Sequence, residues 1–150
     1  MNKLPPIQKI HEAYSSIADN RIEIAGNSAK IISSNRAKEY SVHWIDNIYS
    51  SNDSASYWQS YAGYPIIAVL MLQGKLRLNR EIANYFKGIN WTELNNKHKR
   101  KYDKAVEEIM EKLQEEDVNC EAVNDEINKV FEEIKILDIE IKRSVAKVTR

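Results

Sequence analysis

From Cys120 onward, apolar side chains recur at Cys120, Val123, Ile127, Val130, Ile134, Leu137, Ile141, Val145 and Val148. Steps of three and four residues keep all of them on one face of an α-helix, in a near-heptad seam. A helix of that kind is stable only against a neighbour. The preceding stretch can supply one, because Trp91, Leu94, Tyr102, Val106, Ile109 and Leu113 also recur at helical spacing. Asn90 is a plausible N-cap there, and Glu93, three residues on, completes a capping box in kind. Glu115-Glu116-Asp117 interrupts the two series. The pattern predicts helices of about 25 and 29 residues, each roughly 40 Å long, folded into a long C-terminal antiparallel helical hairpin over 90–150. Phe131, Ile136 and Ile139 widen the last stripe beyond what one neighbour covers. That helix is therefore expected to touch the body of the protein or a second copy in a homodimer.

The body, 1–89, reads as mixed structure. Pro5 and Pro6 can open a helix, since their missing N–H groups would be unpaired in a first turn anyway. Ile7, Ile10, Tyr14 and Ile17 carry it to about Asp19. Residues 21–45 read as a small antiparallel β-meander: Arg21-Ile22-Glu23-Ile24-Ala25 alternates, Gly26-Asn27 is a two-residue turn, and Tyr40, Val42 and Trp44 share a face. A single hairpin with a longer loop is the competing reading. Residues 46–64 read as irregular. The all-apolar run at 65–72 predicts a buried central helix ended by Gly74. Its partner is a helix capped by Asn79, carried by Ile82, Ala83, Tyr85 and Phe86, and closed by Gly88. The expected fold class is α+β, in one domain spanning 1–150.

With 43% hydrophobic residues, 150 residues can bury a real core, while only four Gly and three Pro argue against a turn-rich β protein. The 22 Lys and Arg balance the 22 Asp and Glu, so affinity for nucleic acid would need a local patch. The lone Cys120 excludes an internal disulfide, fits a reducing compartment, and reads as core filler rather than a reactive thiol. The N-terminal stretch lacks a signal-peptide core, and the run at 65–72 is too short to span a bilayer. The expectation is a cytoplasmic protein with no membrane association.

Signatures of catalytic, metal or cofactor chemistry are scarce. Gly74-Lys75 lacks the glycine that opens a phosphate loop, and His11, His43 and His98 are scattered. His43 lies near Ser41 and Asp46 in sequence, but nearness in sequence is not triad geometry. No catalytic residue, metal ligand or cofactor is expected, and the reading leans away from an enzyme.

Charge layout is more informative. Lys97, Lys99, Arg100, Lys101 and Lys104 cluster against Asp103 alone, and Lys142, Arg143, Lys147 and Arg150 crowd the C-terminus. An antiparallel hairpin would unite these segments in one basic end, whose candidate nucleic-acid ligands are Lys97, Lys99, Arg100, Lys101, Lys142 and Arg143. Acids ending the first hairpin helix and bases beginning it oppose the helix dipole, so helix stability does not account for them. Seven of the 13 aromatic residues fall within 40–64. Of these, Tyr57, Trp58, Tyr61 and Tyr64 flank a polar loop, either packing it down or forming a stacking or peptide-binding platform. Residues 70–94 resemble a helix-turn-helix in patterning only, with the turn glycine one residue late. The leading expectation is a non-catalytic binding module, with nucleic acid as partner through the basic end. The alternative is a protein-interaction or assembly subunit using the apolar seam.

Overall fold

The computed structural model describes residues 3–143. Helix α1 (Gln8–Ala18) follows Pro5-Pro6, with Lys9 N–H donating to the Pro6 carbonyl at 3.0 Å. It is buried on nearly every side: Ile10, Ala13, Tyr14 and Ile17 join the main core, while Lys9, His11, Glu12, Ser15 and Ser16 are buried too. The apolar periodicity captured one face of α1 and gave no warning about the other.

Strands β1 (Ile22–Ala25), β2 (Ser28–Ile32) and β3 (Glu39–Ile45) form the three-strand meander. Gly26, at φ +61°, occupies the two-residue loop between the first pair. Val42 is buried, Tyr40 and Trp44 pack against the core, and Glu39 and His43 face outward, as the alternation requires. The region read as irregular holds two further elements. Asp46-Asn47 closes a second tight turn into β4 (Ile48–Ser51), which pairs antiparallel with β3. Asp53 then caps α2 (Ser54–Gln59), its Oδ2 accepting from Ser56 N–H at 3.1 Å. The strand was hidden because Ser50 and Ser51 are polar yet buried, so no alternation marks it.

Helix α3 (Tyr64–Leu72) is the expected buried helix, apolar all round and packed on α1. Asn79 caps α4 (Arg80–Asn84), accepting from Ile82 N–H at 3.1 Å. Gly88, at φ +78°, follows it.

The C-terminal third differs from the expected hairpin. Its first helix is two: α5 (Trp91–Lys97), capped by Asn90, and α6 (Tyr102–Glu115). Lys99 and Arg100 between them both take positive φ, at 54° and 65°. The seven residues from Asn95 to Lys101 include no apolar side chain, so the stripe has nothing to bury there and the helix breaks. This break relieves the apparent dipole conflict at Lys97, which now lies in the last turn of α5, where a cation is favoured, while Glu115 and Glu116 still end α6.

Helix α7 (Cys120–Ile136) carries Val123, Ile127 and Val130 into the core but stops well short of the expected end. Leu137 turns extended, and β5 (Glu140–Ile141) joins the sheet parallel to β4, giving the order β1-β2-β3-β4-β5. Two periods are superimposed in this sequence: Ile134, Leu137 and Ile141 fit a helix, whereas Ile139-Glu140-Ile141 alternates like a strand. Open hydrogen-bonding groups on β4 favour the second, with Glu140 and Lys142 N–H donating to the Asn47 and Tyr49 carbonyls at 2.9 Å each. Arg77 holds α7 to the body through two hydrogen bonds to Glu126, at 2.7 and 3.1 Å. Val145 and Val148, the last expected seam positions, and the bases Lys147 and Arg150 lie outside the described residues. Cys120 is half-buried against the core.

The buried polar side of α1 has a measurable consequence. Burial lowers the His11 imidazole from its ordinary 6.5 to about 4. Between those values the unfolded chain binds a proton that the native protein does not, so stability rises with pH across the window and is lost on acidification. The full span corresponds to about 3 kcal/mol. Glu12 acts in the opposite sense, because burial pushes its carboxyl up. In urea unfolding, His11→Gln is therefore expected to lose less stability than the wild type between pH 6.5 and 4; parallel pH profiles would contradict a buried neutral imidazole.

Candidate functional site

The polar side of α1 faces a cavity of about 490 Å³ walled by the β2–β3 connection, β3, α2 and α5 and by the starts of α3 and α6. This volume lies in the usual range for a small-molecule site, about 300–1,000 Å³. Its walls are aromatic: Tyr40, Trp58, Tyr61, Tyr64, Trp91 and Tyr102. Tyr40 meets Tyr64 edge-to-face with centroids 6.2 Å apart. Trp91 is anchored rather than free, because its indole N–H donates to Ser15 Oγ at 2.7 Å and that hydroxyl donates to the Phe86 carbonyl at 2.5 Å.

Charge enters the cavity from four buried side chains and one exposed one. Lys9 Nζ lies 3.4 Å from Glu12 Oε2 and 4.1 Å above the Tyr102 ring. Burial works against its charge, but Glu12, Tyr102 and Tyr61 together hold its pKa above the ordinary lysine value. Burial pushes the Glu12 carboxyl up, and Lys9 draws it back only in part. Asp53 also lines the cavity, but its carboxylate accepts from the Ser51 hydroxyl and Ser56 N–H and is committed to capping α2. The same carboxylate explains Gly63, where any Cβ would stand 2.1 Å from Asp53 Oδ2. Arg21 supplies a second buried cation, and Arg100 an exposed third.

The sequence-predicted residues divide sharply. Of the basic set, Arg100 lines the cavity, placed there by the left-handed turn that separates α5 from α6. Arg143, at the end of β5, stacks its guanidinium 5.2 Å from both the Tyr57 and Trp58 rings, and its Nε donates to the Tyr57 carbonyl at 3.3 Å. Lys97 instead pairs with Glu108 at 2.7 Å, and His98 Nε2 meets the same carboxylate at 3.0 Å. Hydrogen bonds from Lys97, then His98, hold Glu108 below the usual carboxylate range. Lys99 and Lys101 are exposed around the break, while Lys142 Nζ lies 3.6 Å from Glu140. The six bases thus do not meet through a helical hairpin, since α7 ends before its C-terminal members and β5 carries those to the sheet. All four aromatic candidates surround the Trp58 loop: Trp58, Tyr61 and Tyr64 line the cavity, and Tyr57 packs edge-to-face on Trp58 at 4.8 Å. Trp58 itself is 65% exposed, so it does not pack the loop down.

Sequence reasoning missed Lys9, Glu12, Arg21, Trp91 and Tyr102. Their helical spacing places Trp91 and Tyr102 in a hairpin stripe. The charged three sat on what looked like the solvated side of α1 or at the mouth of a strand, and no local spacing distinguishes them from surface charge. Among the described residues, no group of His, Cys, Asp and Glu could hold a metal ion.

A family described as "Uncharacterised conserved protein UCP014422" matches residues 2–140. The chain belongs to this family. No curated protein and no solved structure matches it. The match reaches from the segment before α1 into β5, so the UCP014422 sequence pattern takes in the whole wall of the cavity.

A second depression in this UCP014422 chain is apolar. It measures about 440 Å³ and lies between Leu4-Pro5, Ile67 and Leu70 of α3, and Ile134 and Ile136 of α7. Phe131 and Ile139 pack partly against the core, whereas Ile136 is 84% exposed. No helix among the described residues is long and apolar enough to cross a membrane.

Proposed function

We propose that the protein is a non-catalytic binding module for single-stranded nucleic acid, using the aromatic cavity and its rim. The observation that carries this reading is that Arg100 and the exposed Trp58 line one cavity, with Arg143 stacked against Trp58 beside it. Bases stack on aromatic faces without regard to sequence, and guanidinium groups track phosphates. A duplex cannot offer a base to an indole without unstacking, so the arrangement favours single strands.

The test is a titration of unlabelled single- and double-stranded oligonucleotides at low salt. Single strands are expected to bind, and Trp58→Ala to weaken them by about 1–3 kcal/mol. Arg100→Glu with Arg143→Glu is expected to abolish binding while leaving thermal stability nearly unchanged. Two phosphate contacts predict a log–log salt slope of roughly −1.4, at about −0.7 per contact. Absence of binding at tens of micromolar protein would remove this reading.

The exposed Ile136 beside an apolar groove supports the second reading, a protein-interaction or assembly subunit that pairs through the end of α7. Sedimentation over a wide concentration range then shows a dimer that Ile136→Glu dissociates. A monomer at all concentrations would remove self-association and leave the nucleic-acid reading in front.

A further inference from the structure

The cavity floor holds donors that the protein itself does not satisfy. The Arg21 side chain is 1% exposed; its Nε donates to Asp19 Oδ2 at 3.2 Å and its Nη1 to the Ile32 carbonyl at 2.6 Å. Its Nη2 is buried without a hydrogen-bond partner. The Arg21 guanidinium draws the Tyr64 phenol down only partly against burial, which pushes that phenol well up. A buried cationic N–H left unpaired is costly, and native structures rarely keep one without a purpose. Lys9, also buried on this floor, has a single long hydrogen bond for a group with three donors. Glu12 and Asp19 each pair with one of these cations and Asp53 is occupied as a cap, so what the floor offers a ligand is unfilled donor capacity rather than surplus positive charge.

The polarity of the cavity then has a direction. Arg21 and Lys9 lie buried at the inner end, while Trp58 and Arg100 stand exposed at the mouth. We infer that the floor is a subsite for a terminal phosphate monoester, so that the cavity takes the phosphorylated end of a strand, or a free mononucleotide, rather than the strand's interior. This inference rests on the nucleic-acid reading above. A diester is flanked by nucleotides on both sides and cannot enter end-on. A monoester can, and its terminal oxygens are strong acceptors for the unfilled donors of Arg21 and Lys9. Guanidinium is well matched to that group, because its planar donors fit phosphate oxygens.

The experiment is isothermal titration calorimetry of the full chain against six ligands. These are one short single strand with a 5′-phosphate, with a 3′-phosphate and with hydroxyls at both ends, a mononucleotide, its nucleoside, and inorganic phosphate. One phosphorylated strand is expected to bind roughly ten- to hundredfold tighter than the hydroxyl-ended strand, the effect of one or two charge-assisted hydrogen bonds. Whichever end is preferred identifies the source of the phosphate. Lys9→Met should erase most of that preference while retaining binding of the hydroxyl-ended strand, and Arg21→Gln should do the same where it folds. As a check that needs no variant, inorganic phosphate should compete with the phosphorylated strand and not with the hydroxyl-ended one. Equal affinity for all three strands would overturn the subsite and leave the nucleic-acid reading intact. Binding of the mononucleotide but of no strand would keep the subsite and overturn the strand reading. No heat with any of the six would overturn both.

Discussion

Helix α1 is the constraint on which the rest depends. A helix buried on nearly every side must satisfy its polar groups within the protein, since an unpaired buried group costs free energy comparable to a lost hydrogen bond. Ser15 accomplishes this by accepting from Trp91 and donating to Phe86, which fixes α5 and the end of α4 to α1 in one interaction. Lys9 and Glu12 pair with each other, and Lys9 also lies over Tyr102 at the start of α6. Each of these contacts reaches across the sequence, from the N-terminal helix to elements about 70 to 95 residues later. The apolar side of α1 organises the core with α3, and the polar side organises the cavity.

This double use explains why the site is made from pieces that are distant in sequence. The sheet contributes Tyr40 and the buried Arg21 at its entry, α2 contributes Trp58, and the turn between α5 and α6 contributes Arg100. A helix running unbroken from Trp91 to Glu115 would not contain that turn. Lys99 and Arg100 leave helical backbone because no apolar stripe holds Asn95 to Lys101 against the core. At the other edge, the strand-like alternation of Ile139-Glu140-Ile141 closes the sheet beside β4 and brings Arg143 against Tyr57 and Trp58.

Much of the architecture was legible in the sequence because it follows from apolar periodicity and caps. The meander, the all-apolar α3 and the Asn79 and Asn90 caps are of this kind. What was not legible depends on choices that local pattern leaves open. Ser50 and Ser51 are buried by their neighbours rather than by their own chemistry, which concealed β4. The seam from Cys120 to Val148 obeys a helical period throughout, yet tertiary pairing ends the helix at Ile136. The site was half legible: the aromatic loop and Arg100 stood out by composition, while Lys9, Arg21 and Trp91 acquire their meaning only from the burial of α1's polar face.

On the proposed function, the protein meets its ligand at this cavity and not at the surface at large. The three tryptophans make it directly observable, because Trp58 and Trp91 line the cavity whereas Trp44 stacks on Tyr49 in the sheet, 6.0 Å between centroids. In a nitrogen-15 NMR titration with a short single strand, the indole resonances of Trp58 and Trp91 are expected to shift together while that of Trp44 stays in place. Unmoved Trp58 and Trp91 signals under conditions where binding occurs, or a shift confined to Trp44, would contradict the account.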